Sequence, residues 1–361
     1  MSRGAIAVLS SENLVHNLSK IKEAAPDKSI IAMVKANAYG HGIRSTALRL
    51  DKHVDSFGVA SIEEALALRK VGIKRPIILV EGVFEPDELL IAACQNFHVV
   101  FHDSTQLEWL KGLSLPLPLV SWLKVDSGLG RLGFSLNDVP YALGILKGCP
   151  YIKQPIGLMS HLSCADDPDH CLNAAQLKTF NELANGWDGP KSLANSATIF
   201  AFPQWQFDVI RPGLFMYGVS PIKGSKASDF GLKPVMTLQT RLISVRLREA
   251  GSFIGYGGTY QCEEPTNIGI IAIGYGDGYL RALPAHTPVL VNGKKCHLVG
   301  RISMDMAAID LSKCDDAKVG DPVVLWGEGL PVEEIIDGSP LIAYELLTGV
   351  QSRVNFHWTM G

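Results

Sequence analysis

Residues 29–42 read Ser29-Ile30-Ile31-Ala32-Met33-Val34-Lys35-Ala36-Asn37-Ala38-Tyr39-Gly40-His41-Gly42. After Ser29, the five residues Ile30–Val34 form a short, unbroken apolar run, the pattern of a strand covered on both faces in a parallel sheet. The run ends on one lysine, and lysine is rarely buried unless it is paired or bonded. Two readings of Lys35 follow. Either its stem lies along the strand end with the ammonium in water or against a carboxylate, or its amine sits in an apolar pocket, ready to condense with an aldehyde cofactor.

Outward from this stretch the chain keeps a regular beat from residue 11 to about 218. Strand-like runs lie near 29–35, 56–60, 76–81, 98–102, 119–125, 155–162, 191–195 and 208–211, with amphipathic stretches between them. One of those stretches, Ser61 to Lys70, opens with Ser61 and Glu64 at the spacing of a capping box. Eight such units predict an α/β fold, a (β/α)8 barrel of the TIM type. Around Ser220–Asp229 the composition turns small and polar, and beyond it the alternation with helices stops. Short apolar runs follow, with Asn292-Gly293 marking a tight hairpin turn. A helical stretch near Ala343–Leu347 and a ragged tail close the chain. The expected division is a barrel over residues 1–230 and a mostly β C-terminal domain over 231–361. Residues 1–10 are expected to pair with the β domain, through a spare strand at Ala5–Leu9.

The chain has 361 residues, 47% hydrophobic and 19% charged, with a formal net charge of −3, which fits an enzyme with full cores and argues against a disordered protein. With no Lys/Arg block, neither nucleic acid nor an anionic membrane is an expected partner. No run is long enough to span a bilayer, and the apolar stretch in Met1–Glu12 is too short for a signal peptide, so a cytoplasmic location is expected. The seven cysteines are scattered and never spaced Cys-x-x-Cys, which reads as reduced thiols. Cys164 and Cys171 flank the acidic segment Asp166–His170, but the spacing matches no closed zinc pattern and no metal is expected.

In a barrel of this type, chemistry sits at the C-terminal ends of the strands. Lys35 ends the first expected strand, and Lys124-Val125-Asp126-Ser127-Gly128-Leu129-Gly130-Arg131 follows the fifth. His161 ends the sixth, Asn195-Ser196 the seventh, and Arg211-Pro212-Gly213 the eighth. Taken singly, a glycine-bracketed arginine or an apolar-flanked histidine is weak evidence; five polar motifs on one rim are not. In this order they resemble the motifs of the alanine racemase family, pyridoxal phosphate enzymes that interconvert L- and D-alanine. The resemblance covers nearly the whole chain.

That resemblance implies a role for each position. Lys35 would carry pyridoxal 5'-phosphate; Tyr39, Ser196 and the backbone of Gly213 and Leu214 would hold its phosphate, with Asn195 in the same cofactor-binding set. Arg131 would face the cofactor's phenolic oxygen and the substrate carboxylate, oriented by Lys124 as the family's carbamylated lysine. Arg211 would face the pyridine nitrogen, keeping it unprotonated, and would form a relay with His161. Racemisation needs a base on each face of the reacting carbon. Lys35 can serve one face; Tyr256, within Phe253–Tyr260, aligns with the family's opposite base. A tyrosine acts as a base near neutrality only where nearby positive charge favours its phenolate. Within Ile273–Arg281 and Gly300–Met306, Tyr275 would narrow the entrance and Met304 would offer its backbone N–H to the substrate carboxylate. In the family Tyr256, Tyr275 and Met304 come from the neighbouring subunit, so a head-to-tail homodimer with shared sites is implied. One departure stands in Val350–Val354: Ser352 occupies a place where many members carry a phosphate-binding tyrosine.

The expected function is alanine racemisation by Lys35 and Tyr256, supplying D-alanine for peptidoglycan or degrading it. The alternatives are a broad-specificity amino-acid racemase and a non-catalytic barrel protein that binds the same cofactor. A barrel-type decarboxylase is a further rival, though it would need a carboxylate at the pyridine nitrogen and a reactive cysteine motif near the C-terminus.

Overall fold

The computed structural model describes residues 4–359. The described chain divides into two compact units, one of residues 18–216 and 221–225, the other of residues 4–17, 217–220 and 226–359. Residues 1–3 of the expected N-terminal pairing segment lie outside the described residues.

The strands, in chain order, begin with β1 (Ile6–Ser10), which belongs to the second unit. The first unit holds β2 (Ser29–Met33), β3 (Ser56–Val59), β4 (Ile77–Leu79), β5 (Phe97–Phe101), β6 (Leu119–Lys124), β7 (Ile152–Met159), β8 (Lys191–Ser192) and β9 (Val209–Ile210). All eight run parallel in the order β8-β7-β6-β5-β4-β3-β2-β9. The ring closes between β8 and β9 through backbone bonds from Asp208 N–H to Lys191 O and from Arg211 N–H to Ala194 O. Helices lie between the strands and cover the outer face while the ring encloses the inner one, so the strands carry apolar runs such as Ile30–Val34, all buried. The eight expected strands are all present. The last two have only two residues each, shorter than their apolar runs.

The second unit is a mostly β domain. It adds β10 (Met236–Arg248), the hairpin β11 (Phe253–Ile254) and β12 (Tyr260–Gln261), then β13 (Thr266–Ile271), β14 (Pro288–Val291), β15 (Lys294–Val299), β16 (Ala307–Asp310), β17 (Pro322–Trp326) and β18 (Asn355–Thr359). Asn292 and Gly293 join β14 to β15 with φ of 52° and 77°, the left-handed pair that a two-residue hairpin demands. β1 pairs antiparallel with β10 and parallel with β18. The tail is therefore not ragged: after the helix Ala343–Gly349, residues 355–359 form an edge strand in register with Ile6–Ser10. Among the described residues no helix is long and apolar enough to cross a membrane.

Candidate active site

Lys35 does not continue β2. The strand stops at Met33, and Ala36, Asn37, Ala38 and Tyr39 all take left-handed backbone angles, with φ between 51° and 55°. For residues other than glycine this conformation costs roughly 1–2 kcal/mol each. Local bonds offset the cost: Ala38 N–H donates to Val34 O at 2.8 Å, Gly42 N–H to Asn37 O at 2.9 Å, and Ile43 N–H to Asn37 Oδ1 at 2.9 Å. The His41 ring is buried beneath, its Nδ1 within 2.9 Å of Tyr39 O and 3.2 Å of Ala38 O. Strain held this firmly is typical of a functional segment.

The expected capping box is absent. Ser61 makes no side-chain cap, and Glu64 turns instead to accept from Ala60 N–H at 2.9 Å and from Ala36 N–H at 2.7 Å. A donor of the strained turn outcompeted the reciprocal bond that the local spacing predicts. Of the two settings considered for Lys35, the carboxylate contact is the one present: its Nζ lies 3.3 Å from Glu81 Oε1, and both side chains are about one-third exposed, at 35% and 36%.

Around that pair the barrel rim gathers the predicted cations. Lys124, at the end of β6, is 7% exposed, and its ammonium pKa is pushed down to about 8 by burial, then by Arg211, Arg131 and Lys35, with Glu81 opposing. Arg131 hangs from a loop that Asp126 shapes, the Asp126 carboxylate accepting from Gly128, Leu129 and Gly130 N–H at 2.8–3.1 Å. Arg211, 6% exposed, has its pKa lowered to about 10 by burial. It donates to Ser192 Oγ at 2.6 Å, to Ser160 O at 2.6 Å and to His161 Nδ1 at 3.2 Å. Burial, then Arg211, Arg131, Lys124 and Lys35, hold His161 well below the usual histidine range, so it is neutral.

Asn195 caps the helix Ser196–Ala201, accepting from Thr198 N–H at 3.0 Å, and is bridged to Arg211. Ser196 Oγ accepts from Gly213 N–H at 2.7 Å. A Cβ on Gly213 would meet the Tyr39 hydroxyl, which the left-handed turn carries across from β2. Leu214 opens the buried 3-10 turn that follows.

Tyr256, Tyr275 and Met304 belong to the β unit, 72%, 42% and 54% exposed. The Tyr275 and Met304 loops are joined by Tyr275 N–H to Ser303 O at 3.1 Å and Gly276 N–H to Met304 O at 2.9 Å. Arg353 braces both, its Nε 3.0 Å from the buried Asp277 carboxylate and its Nη2 2.6 Å from Asp305. The Tyr256 loop runs beside Gly300 and Arg301.

Three contributors escaped the sequence reading: Glu81, Ser192 and Arg353. Glu81 had a signal, since it closes the apolar run Ile77–Val80 as Lys35 closes its own. Ser192 had none.

The geometry defines a two-unit barrel protein in which Lys35 stands on a cation-rich rim. Sequence profiles of the alanine racemase N-terminal and C-terminal domains match residues 9–221 and 235–358. The chain is 45% identical to the alanine racemase of Legionella pneumophila (strain Corby) over 356 residues, covering 99% of this chain and 100% of that one. Its structure matches the biosynthetic alanine racemase of Pseudomonas aeruginosa with a TM-score of 0.97 at 40% identity, over the full length of both. It also matches the alanine racemase of Bartonella henselae, solved with covalently bound pyridoxal phosphate, with a TM-score of 0.88 at 29% identity over 99% of both chains. The chain belongs to the alanine racemase family.

Proposed function

We propose that this protein is a pyridoxal phosphate-dependent alanine racemase that interconverts L- and D-alanine with two bases, Lys35 and Tyr256. One observation carries the reading: Lys35, Lys124, Arg131 and Arg211 converge electrostatically on a rim where Arg211 is bonded to a neutral His161. Such a rim suits a phosphate, a phenolic oxygen and a substrate carboxylate.

The residues fit the cofactor. Lys35 provides the amine, and Tyr39, Asn195, Ser196, Gly213 and Leu214 cluster where Gly213 leaves room against the Tyr39 hydroxyl. When bound, the cofactor supplies the electron sink that acidifies the substrate Cα–H. Arg211 is assigned to the ring nitrogen, where a guanidinium that stays charged at neutral pH disfavours protonation of that nitrogen. Arg131 is assigned to the phenolic oxygen and, with Met304 N–H, to the substrate carboxylate. Lys124, with its pKa near 8, offers a neutral amine fraction to carbon dioxide and so can become the carbamate that orients Arg131.

His161 accepts at Nδ1, so its ring proton lies on Nε2, a donor suited to stabilising the phenolate of Tyr256 of the partner subunit. Lys35 moves the proton on one face of Cα and that tyrosine moves it on the other. The exposure of Tyr256, Tyr275 and Met304 supports a homodimer in which these residues complete the neighbouring site. A cytoplasmic enzyme providing D-alanine for peptidoglycan fits this reading.

Proton exchange at Cα of L- and D-alanine in deuterated water, with and without added pyridoxal phosphate, tests it. Wild type should exchange both enantiomers in a cofactor-dependent way, and Lys35→Ala should exchange neither. Normal racemisation by Lys35→Ala would overturn the assignment.

A further inference from the structure

The backbone just beyond Lys35 is held by a carboxylate from outside its own segment. Glu64 lies in the first turn of the helix Ile62–Lys70, and its two oxygens accept from Ala36 N–H at 2.7 Å and Ala60 N–H at 2.9 Å. Ala36 opens the left-handed turn and Ala60 follows the last residue of β3, so one side chain ties the ends of two neighbouring strands. The turn carries Lys35 at one end and Tyr39, with its hydroxyl against Gly213, at the other.

We propose that Glu64 is a positioning residue for Lys35 and Tyr39: by clamping Ala36 to Ala60 it keeps the strained turn in the one arrangement that presents amine and hydroxyl together. The inference rests on the reading of Lys35 as the cofactor-bearing lysine. A carboxylate is needed because both bonds are accepted, one on each oxygen. Glutamine can accept only one, and its amide NH2 would face the other N–H as donor against donor. Aspartate keeps the negative charge that favours a helix N-terminus but is one methylene too short to reach both groups. The two variants therefore separate bridging from helix-end electrostatics.

The test uses the full-length protein, with Glu64→Gln and Glu64→Asp beside wild type. Hydrogen–deuterium exchange is followed in peptides spanning residues 34–42 of the cofactor-free protein, and the dissociation constant for pyridoxal phosphate is measured by titration. Both variants should exchange faster in 34–42, with the other barrel peptides unchanged. Their cofactor dissociation constants should rise about tenfold, the loss of one charge-assisted bond. Unchanged exchange in 34–42 overturns the proposal, as does faster exchange spread evenly through the barrel, which would mark a merely structural role. Faster local exchange with unchanged cofactor affinity overturns it too. Covalent capture of the cofactor by Lys35→Ala would defeat the reading of Lys35 itself, while the exchange result would still report on the clamp.

Discussion

Arg211 Nη2 lies 3.2 Å from His161 Nδ1, and since a guanidinium can only donate, the histidine is the acceptor. The same guanidinium is anchored by Ser192 Oγ and Ser160 O, each at 2.6 Å. Arg211→Gln removes the cation second only to burial in holding His161 neutral. In 15N NMR of the imidazole, His161 should titrate closer to the ordinary histidine value of about 6.5 in this variant. Racemisation should fall about 100-fold or more, the scale of a lost acid–base group. An unmoved His161 titration would show that the pair does not set its protonation.

The buried histidines give the stability an acid limb. Burial lowers the pKa of His41 from 6.5 to about 4, against its bonds to the Tyr39 and Ala38 carbonyls, and lowers that of His98 to about 4 with help from Lys153 and Arg69. Between pH 6.5 and 4 the unfolded chain binds more protons at these sites, so the stability present above pH 6.5 is lost as the pH falls towards 4. For His41 alone the loss at the acid end is ~3 kcal/mol. Urea unfolding across this window should show it, and a folded His41→Gln variant should show a shallower slope.

Gly213→Ala places a methyl against the Tyr39 hydroxyl. The displaced atom is the tip of a side chain, so the thermal midpoint should change little. Tyr39 and Ser196 would lose their arrangement at the phosphate position, and the pyridoxal phosphate dissociation constant should rise about tenfold, the worth of one good hydrogen bond. Spectroscopic titration of the cofactor-free variant measures this.

Arg353→Ala removes the ion pair from the Asp277 carboxylate, which is 1% exposed and also accepts from Gly274 N–H. Because Arg353 is 39% exposed, the loss of stability should be about 1–2 kcal/mol rather than that of a fully buried pair. The loops bearing Tyr275 and Met304 would loosen, so KM for alanine should rise more than kcat falls. An unchanged KM would show that this brace has no bearing on substrate binding.

The candidate site was legible wherever a charged or polar residue interrupted an apolar strand at its C-terminal end: Lys35, Lys124, His161 and Arg211 each stand out in this way. Apart from the Arg211–His161 pair and the carboxylate class of Lys35's partner, what those residues bond to was not legible. Glu64 sits at the spacing of a capping box, yet its oxygens go to Ala60 and Ala36. Lys35 followed an apolar run, yet it meets Glu81, 46 residues on. The strand Asn355–Thr359 does alternate polar and apolar residues, but it is short and exposed and its partner, Ile6–Ser10, lies at the far end of the chain.

By itself the sequence determined the period of the fold: the βα beat of the barrel, the change to short strands after residue 230, and the hairpin at Asn292-Gly293. These are local properties, written in the spacing of apolar residues and in the backbone preferences of single residues. Tertiary structure alone decided the left-handed turn after Lys35, the Glu64 clamp, the Ser192 anchor of Arg211 and the parallel pairing of Ile6–Ser10 with Asn355–Thr359. Each depends on groups distant in the chain meeting in one register, and no window of local sequence records which distant donor will reach a given acceptor first.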